Sequence, residues 1–375
     1  MPNPLNRLHA LGQSVWLDYI RRDMLQDGTQ ARLVREDDLA GQTSNPTIFE
    51  KAIADSDLYD DDIRAAGSDV DPGALFGSIA QADIRAAADL FRPIYDQAGG
   101  HDGLVSIEVS PDLAWDTDAS IEAARHLWET IDRPNIMVKI PGTREGLPAI
   151  RQCLSEGINI NITLLFSVDR YHEVMDAWFA AMEQRLERGE PIDRIASVAS
   201  FFVSRVDSKV DTRIAELLEG ATGDERERLL ALQGRIGIDN ARMAYEAHEL
   251  RFADDRFAPL SDRGARAQRP LWASTSTKNP AYPDVYYAEA LIGPGTVNTL
   301  PPETLEAYRD HGDPAIRIHH DLDGAHRRLA ELGDLGVDFD AILDELESEG
   351  VRKFADSWHE LLEAIEEKQK QVQPA

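Results

Sequence analysis

The stretch Asn135-Ile-Met-Val-Lys139-Ile-Pro-Gly-Thr143 sets one lysine inside an apolar, β-branched run. A run of this kind reads as a strand buried on both faces. Lysine is scarce in the chain. Only Lys51, Lys139, Lys209, Lys278, Lys353, Lys368 and Lys370 carry it among 39 basic residues. A desolvated lysine can lose its proton at usable pH and arginine cannot. A neutral buried amine is the reagent that forms a Schiff base with a carbonyl.

Outward from this run, short apolar segments alternate with longer amphipathic ones. The strand-like segments are Ser14–Asp18, Leu39–Ser44, Gly103–Val109, Ile136–Ile140, Ile158–Thr163, Ile195–Ser200, Pro270–Thr275 and Thr296–Leu300. Helical periodicity fills Ala80–Ala98, Ser120–Ile131, Val168–Arg188 and Val206–Leu218. Eight strands alternating with helices predict an α/β fold, a (β/α)8 TIM barrel with additional N- and C-terminal helices. Asp55–Gly73 reads as acidic helix or loop, and Gly220–Arg269 as a long helix followed by a loop. Residues 301–375 read as a C-terminal helical extension whose polar end, Glu366–Ala375, is expected to fray. No repeat or linker divides the chain, so residues 1–375 are expected to form a single barrel domain.

Apolar residues make up 42% of the 375, and no window approaches the ~18 uninterrupted apolar residues of a membrane span. The start, Met1-Pro-Asn-Pro-Leu-Asn-Arg7, lacks the basic-then-apolar order of a signal peptide. The single Cys153 excludes an intrachain disulfide and a cysteine zinc site. These features together predict a cytoplasmic setting. The net charge of −29 argues against nucleic acid and anionic membrane as partners. An anionic substrate would need a locally basic pocket to oppose that field. His319-His320-Asp321 with His326 matches no common zinc spacing, so no metal site is expected. The oligomeric state is left open.

In such a barrel, catalytic groups emerge where the strands end at the C-terminal face. Here Asp18 closes the first strand-like segment and Thr43-Ser44-Asn45 the second. Ser106 and Glu108 lie on the third, Lys139 on the fourth, and Asn159, Asn161 and Thr163 on the fifth. Ser200 closes the sixth and Ser274-Thr275 the seventh. Side chains at i and i+2 share one face of a strand. If that face is the lumen, the whole set converges on one pocket. Taken singly, each residue has a plainer reading. Lys139 and Glu108 could reach solvent, Asp18 could cap a helix, and Asn45-Pro46 could open one. Recurrence at successive strand ends favours the pocket, because a closed barrel has no edges.

Six strings in order resemble the transaldolase family of class I aldolases. They are Gly41–Lys51, Val105–Val109, Ile136–Thr143, Gly157–Ser167, Ser197–Asp207 and Ala273–Asn279, within roughly residues 10 to 300. The length and the stretches Thr275–Tyr282 and Asn298–Pro301 resemble a longer subgroup found in actinobacteria and cyanobacteria. The resemblance implies transfer of a dihydroxyacetone unit from sedoheptulose 7-phosphate to glyceraldehyde 3-phosphate, with no metal or organic cofactor. It assigns the Schiff base to Lys139, water-mediated proton transfer to Glu108 with Thr163, and the C4 hydroxyl proton to Asp18. It implies that Asn45 and Asn161 hold the three-carbon unit, with Ser106 in the same pocket. Ser200 and Arg205 then match the phosphate site. Where the better-known members place a second phosphate arginine, this chain offers Lys278 with Ser274 and Ser276. A close rival is a fructose 6-phosphate aldolase-like enzyme, but that group is shorter and carries glutamine where Glu108 stands. A second rival is a catalytically silent barrel that binds sugar phosphates. Lys139, Glu108 and Asp18 are all present, which speaks against it.

Overall fold

A computed structural model describes residues 3–67 and 69–372. Its centre is a closed barrel of eight parallel strands in sequence order. They are β1 Gln13–Asp18, β2 Gly41–Thr43, β3 Leu104–Glu108, β4 Ile136–Pro141, β5 Ile160–Leu165, β6 Ser197–Phe202, β7 Arg269–Ala273 and β8 Thr296–Leu300. The (β/α)8 barrel expected from the alternation is present. No helix among the described residues is long and apolar enough to cross a membrane.

The differences from expectation have local causes. β5 and β6 each begin two residues late. Asn159, expected beside Asn161 and Thr163 in the lumen, precedes β5 instead. Its amide donates to the carbonyls of Pro134 and Ile136 and accepts from the Ala196 N–H, tying three strand entrances together. β7 stops at Ala273 because Ser274 turns to φ +56. The long helix expected after Gly220 is two, Gly223–Leu232 and Ile236–Phe252. The break falls at Gly234, with φ +70. The polar C-terminal end is helical to Val372 within a 34-residue helix, Phe339–Val372. Lys368 pairs with Asp60 at 3.0 Å and Gln369 donates to the Val70 carbonyl at 3.0 Å, which holds the last turns down. Residues 373–375 of the expected frayed tail, and residues 1–2 of the start, lie outside the described residues.

Alternation along each strand separates two environments. Val138, Ile140, Ile160, Ile162, Ala199 and Phe201 pack outward with the flanking helices. Met137, Val198, Leu271, Val297, Trp16 and Leu104 pack together as the lower lumen. A Cβ at Gly41 would stand 2.6 Å from the Trp16 indole, so β2 can approach β1 only with glycine there. Below this layer the floor is polar. Arg269 pairs with Asp102 at 3.1 Å and donates to Ser14 Oγ at 2.9 Å, while Ser14 donates to Asp102 at 2.6 Å. All three side chains are buried, so removing Arg269 or Asp102 would strand the other's charge, at ~3–5 kcal/mol.

Asp207, in the first turn of the Ser204–Leu218 helix, is buried behind the barrel mouth and accepts the Gly237 N–H. Burial pushes its carboxyl up to about 7. The folded value lies above the unfolded one of ~3.9, so the folded state holds an extra proton between those values. The stability this provides is complete below about pH 4 and is lost as pH rises toward 7. Asp207→Asn is therefore expected to match the parent near pH 4 and to melt higher than it at pH 8. A melting difference that stays constant across that range would refute the assignment.

Candidate active site

Strand register builds the site directly. Glu108 on β3 lies opposite Lys139 on β4, and Lys139 lies opposite Asn161 on β5. Neighbouring strands are ~4.8 Å apart, so three lumen-facing polar side chains stand in one row. Lys139 Nζ lies 3.3 Å from Glu108 Oε2 and donates to the Ser44 carbonyl at 3.4 Å. The two side chains are 7% and 3% exposed, which makes this a desolvated pair. Ser200 Oγ donates to Asn161 Oδ1 at 2.6 Å, and Asn161 Nδ2 donates to Ser106 Oγ at 3.0 Å. That string fixes which way the Asn161 amide points. Thr43 Oγ1 donates to Asp18 Oδ1 at 2.7 Å, because β1 and β2 set the two residues opposite one another. Glu108 Oε1 and Thr163 Oγ1, on the strands flanking β4, are buried and bond to no protein group.

Burial raises the carboxyls of Asp18 and Glu108 above their ordinary values, and Lys139 opposes the rise in both. Both acids are thereby shifted toward the range in which a carboxyl can give and take a proton near neutrality. Burial lowers Arg205, and the charges of Asp18 and Glu108 work against that.

Above the row, a cavity of about 640 Å³ opens at the C-terminal ends of the strands. Its walls include Asp18, Asn45, Lys139, Thr163, Ser200, Arg205 and Lys278. Glu108, Ser106 and Asn161 lie at its base, joined to these walls by the contacts above. Seven of the ten residues expected at the site thus line one mouth, and the other three connect to them through side-chain hydrogen bonds. Several have a second task. Asn45 caps the Pro46–Ala54 helix by accepting the Ile48 N–H at 3.1 Å, with Pro46 at the first helical position. Its plainer reading therefore holds together with its place in the wall. Asp18 caps no helix; the short Arg22–Gln26 helix that follows has no side-chain cap. Arg205 sits in the first turn of the Ser204–Leu218 helix, its guanidinium 5.0 Å from the Phe202 ring. Ser204 joins that helix start to the loop after β7, through a 3.0 Å bond to the Ser274 carbonyl and a 2.9 Å hydroxyl contact. Lys278 stands exposed on the same loop.

The wall has a part that strand-end reasoning misses. Lys51, Lys209 and Lys353 also line the cavity, so five of the seven lysines surround one opening. With Arg205 they face three wall carboxylates, Asp18, Glu303 and Glu349. The locally basic pocket that an anionic substrate requires is present within a chain of net charge −29. The signal was the lysine count itself. Leu346, Glu349, Lys353 and Phe354 come from the C-terminal helix, which lies across the mouth. The Phe354 ring is 5.7 Å from Lys139 Nζ and 5.7 Å from the Arg205 guanidinium. Gly350 permits this approach, since a Cβ there would stand 3.0 Å from Leu164 Cδ2. Leu164 itself is held at φ +60, a left-handed backbone that a branched side chain seldom adopts.

A family model described as transaldolase/fructose-6-phosphate aldolase matches residues 15–365. A transaldolase of Frankia alni is 48% identical over 371 residues, covering 97% of this chain and 97% of that protein. A transaldolase of Thermobifida fusca is 47% identical over 371 residues, covering 97% and 98%. Transaldolase 2 of a Nostoc species is 44% identical over 377 residues, covering 99% of each.

The closeness of the C-terminal helix can be measured. Gly350→Ala gains ~1 kcal/mol of helix propensity but drives a methyl into Leu164. It is expected to lower the melting temperature by roughly 2–6 °C. Gly77→Ala, where an added Cβ meets only the far end of Gln81 at 3.9 Å, is expected to raise it. Equal gains from both would show that the helix does not press on the barrel.

Proposed function

Because the chain belongs to the transaldolase/fructose-6-phosphate aldolase family, we propose that it moves a dihydroxyacetone unit from sedoheptulose 7-phosphate to glyceraldehyde 3-phosphate through a Schiff base on Lys139. The products are erythrose 4-phosphate and fructose 6-phosphate. The observation that carries this is the desolvated Lys139–Glu108 pair, 3.3 Å apart, at the base of a cation-lined cavity.

The amine of Lys139 attacks the C2 carbonyl of the ketose phosphate and, with its proton passed to the carbonyl oxygen, gives a carbinolamine. Its hydroxyl leaves as water after taking a proton delivered from Glu108. The free Glu108 Oε1 and Thr163 Oγ1 can hold a water that carries that proton. A positioned acid/base of this kind is worth ~10² to 10⁴ in rate. Asp18 then takes the proton of the C4 hydroxyl. The C3–C4 bond breaks, the aldose phosphate leaves, and the bonding pair moves into the protonated imine. The enamine so formed keeps three carbons on Lys139. Asn161, oriented by Ser106 and Ser200, hydrogen-bonds its hydroxyls, with Asn45 on the opposite wall. An acceptor aldehyde enters and the steps run in reverse. Arg205 holds the phosphate of donor and acceptor in turn by a forked contact at a helix start, with Lys278 on the facing loop as its second cation. The work is done by side chains alone in a cytoplasmic enzyme.

Borohydride reduction in the presence of fructose 6-phosphate is expected to leave a three-carbon adduct on the Lys139 peptide. Recovery of that peptide unmodified under saturating substrate would end the Schiff-base reading. Arg205→Ala is expected to raise KM for phosphorylated donors ~10- to 100-fold, the size of a lost charged hydrogen bond. Its effect on unphosphorylated donors should be far smaller. Equal effects on both would remove Arg205 from the phosphate site.

A further inference from the structure

Phe354 belongs to no strand end and to none of the six strings that resemble the family, yet its ring faces the reacting amine. The C-terminal helix that carries it is fixed on three sides. Thr47 of the Pro46–Ala54 helix donates to Ser357 Oγ at 2.8 Å. Lys209 of the Ser204–Leu218 helix pairs with Glu349 at 2.6 Å and with Glu345 at 3.0 Å. Gly350 lets the helix seat on Leu164 at the end of β5. These supports attach to the elements that also carry Asn45, Arg205 and Thr163. Phe354 is 7% exposed, and its ring lies 5.7 Å from Lys139 Nζ and 5.7 Å from the Arg205 guanidinium.

We propose that Phe354 is a specificity-determining residue that decides whether the three-carbon unit goes to an aldehyde or to water. This rests on the Schiff-base reading of Lys139. After the first aldose phosphate leaves, the enamine must wait for an acceptor. It has a competing fate. Its nucleophilic carbon, C3, can take a proton from a carboxyl or from solvent, which regenerates the protonated imine. Water then adds to C2, the C2–N bond breaks with its electron pair returning to nitrogen, and free dihydroxyacetone is released beside the Lys139 amine. No oxidant or reductant is needed, and water is the sole co-reactant. An aromatic ring 5.7 Å from the nitrogen takes up part of the volume from which that water would approach, and it offers the cationic imine a π-face instead. Arg205, whose guanidinium lies over the same ring at 5.7 Å, couples the cover to the phosphate side. The same ring therefore guards the nitrogen while the acceptor phosphate is absent.

The test uses the full chain and two measurements on each variant. One is free dihydroxyacetone released from fructose 6-phosphate without acceptor, relative to transfer when acceptor is present. The other is the borohydride adduct on Lys139. Phe354→Ala is expected to raise the ratio of release to transfer roughly tenfold, with the adduct still formed. Phe354→Leu, which keeps an apolar side chain over the nitrogen, is expected to stay near the parent ratio. Phe354→Gln retains bulk but attracts water and is expected to behave as the alanine variant, so it decides the matter if Phe354→Ala does not fold. A folded Phe354→Ala or Phe354→Gln that forms the adduct yet keeps the parent ratio overturns the proposal. Absence of the adduct in the parent enzyme would instead overturn the reading on which it rests.

Discussion

Strand register in a closed barrel is the constraint on which everything else depends. With eight parallel strands and no edge, each lumen side chain has a fixed neighbour on the next strand. Glu108, Lys139 and Asn161 are cross-strand partners in that register, and Asp18 and Thr43 are another pair. A slip of one residue in β4 would send Lys139 outward among the helices and put Val138 or Ile140 in its place. The lumen below is filled with Met137, Val198, Leu271 and Trp16, which gives the slip a large cost in buried apolar surface. Hydrophobic packing in the lumen thus fixes the position of the polar site above it.

Electrostatics then works at two scales. At short range, the burial that raises Glu108 and Asp18 also brings them against Lys139, so protons can be exchanged within one desolvated group of side chains. At longer range, the wall gathers six cations against three carboxylates. The acidic surface elsewhere repels anions, and the mouth is where that repulsion is reversed. A sugar phosphate approaching a chain of net charge −29 thus meets a cluster of cations at this opening.

Much of this was legible in the sequence because period-two alternation and strand-end polarity have simple physical causes. Lys139, Glu108, Asp18 and Thr163 could be read as one pocket from spacing alone once the barrel was assumed. Boundaries were less legible where tertiary bonds intervene. Asn159 looked like a third member of the Asn161 row and is a tie between strand entrances, and Ser274 ends β7 early by turning left-handed. The C-terminal helix was readable as a helix, but not as a wall of the site. Its register against the mouth depends on Gly350 meeting Leu164 and on Thr47 meeting Ser357, contacts between residues far apart in the chain with no local signature. Lysine scarcity pointed to Lys139 and said nothing of where the other lysines gather. Lys51, Lys209 and Lys353 were counted, but their gathering at one opening is a three-dimensional fact.

The bond between Thr47 and Ser357 joins residues 310 positions apart. During synthesis the amino-terminal part emerges first and folds as it becomes available, and closing so long a loop costs entropy that grows with its logarithm. All eight strands, Lys139 and Arg205 are complete by residue 300. A nascent chain at that stage carries Lys139 and Arg205 without the helix that brings Phe354 to the same cavity. The C-terminal helix is therefore added as a wall of the cavity only after every strand that forms its floor and rim.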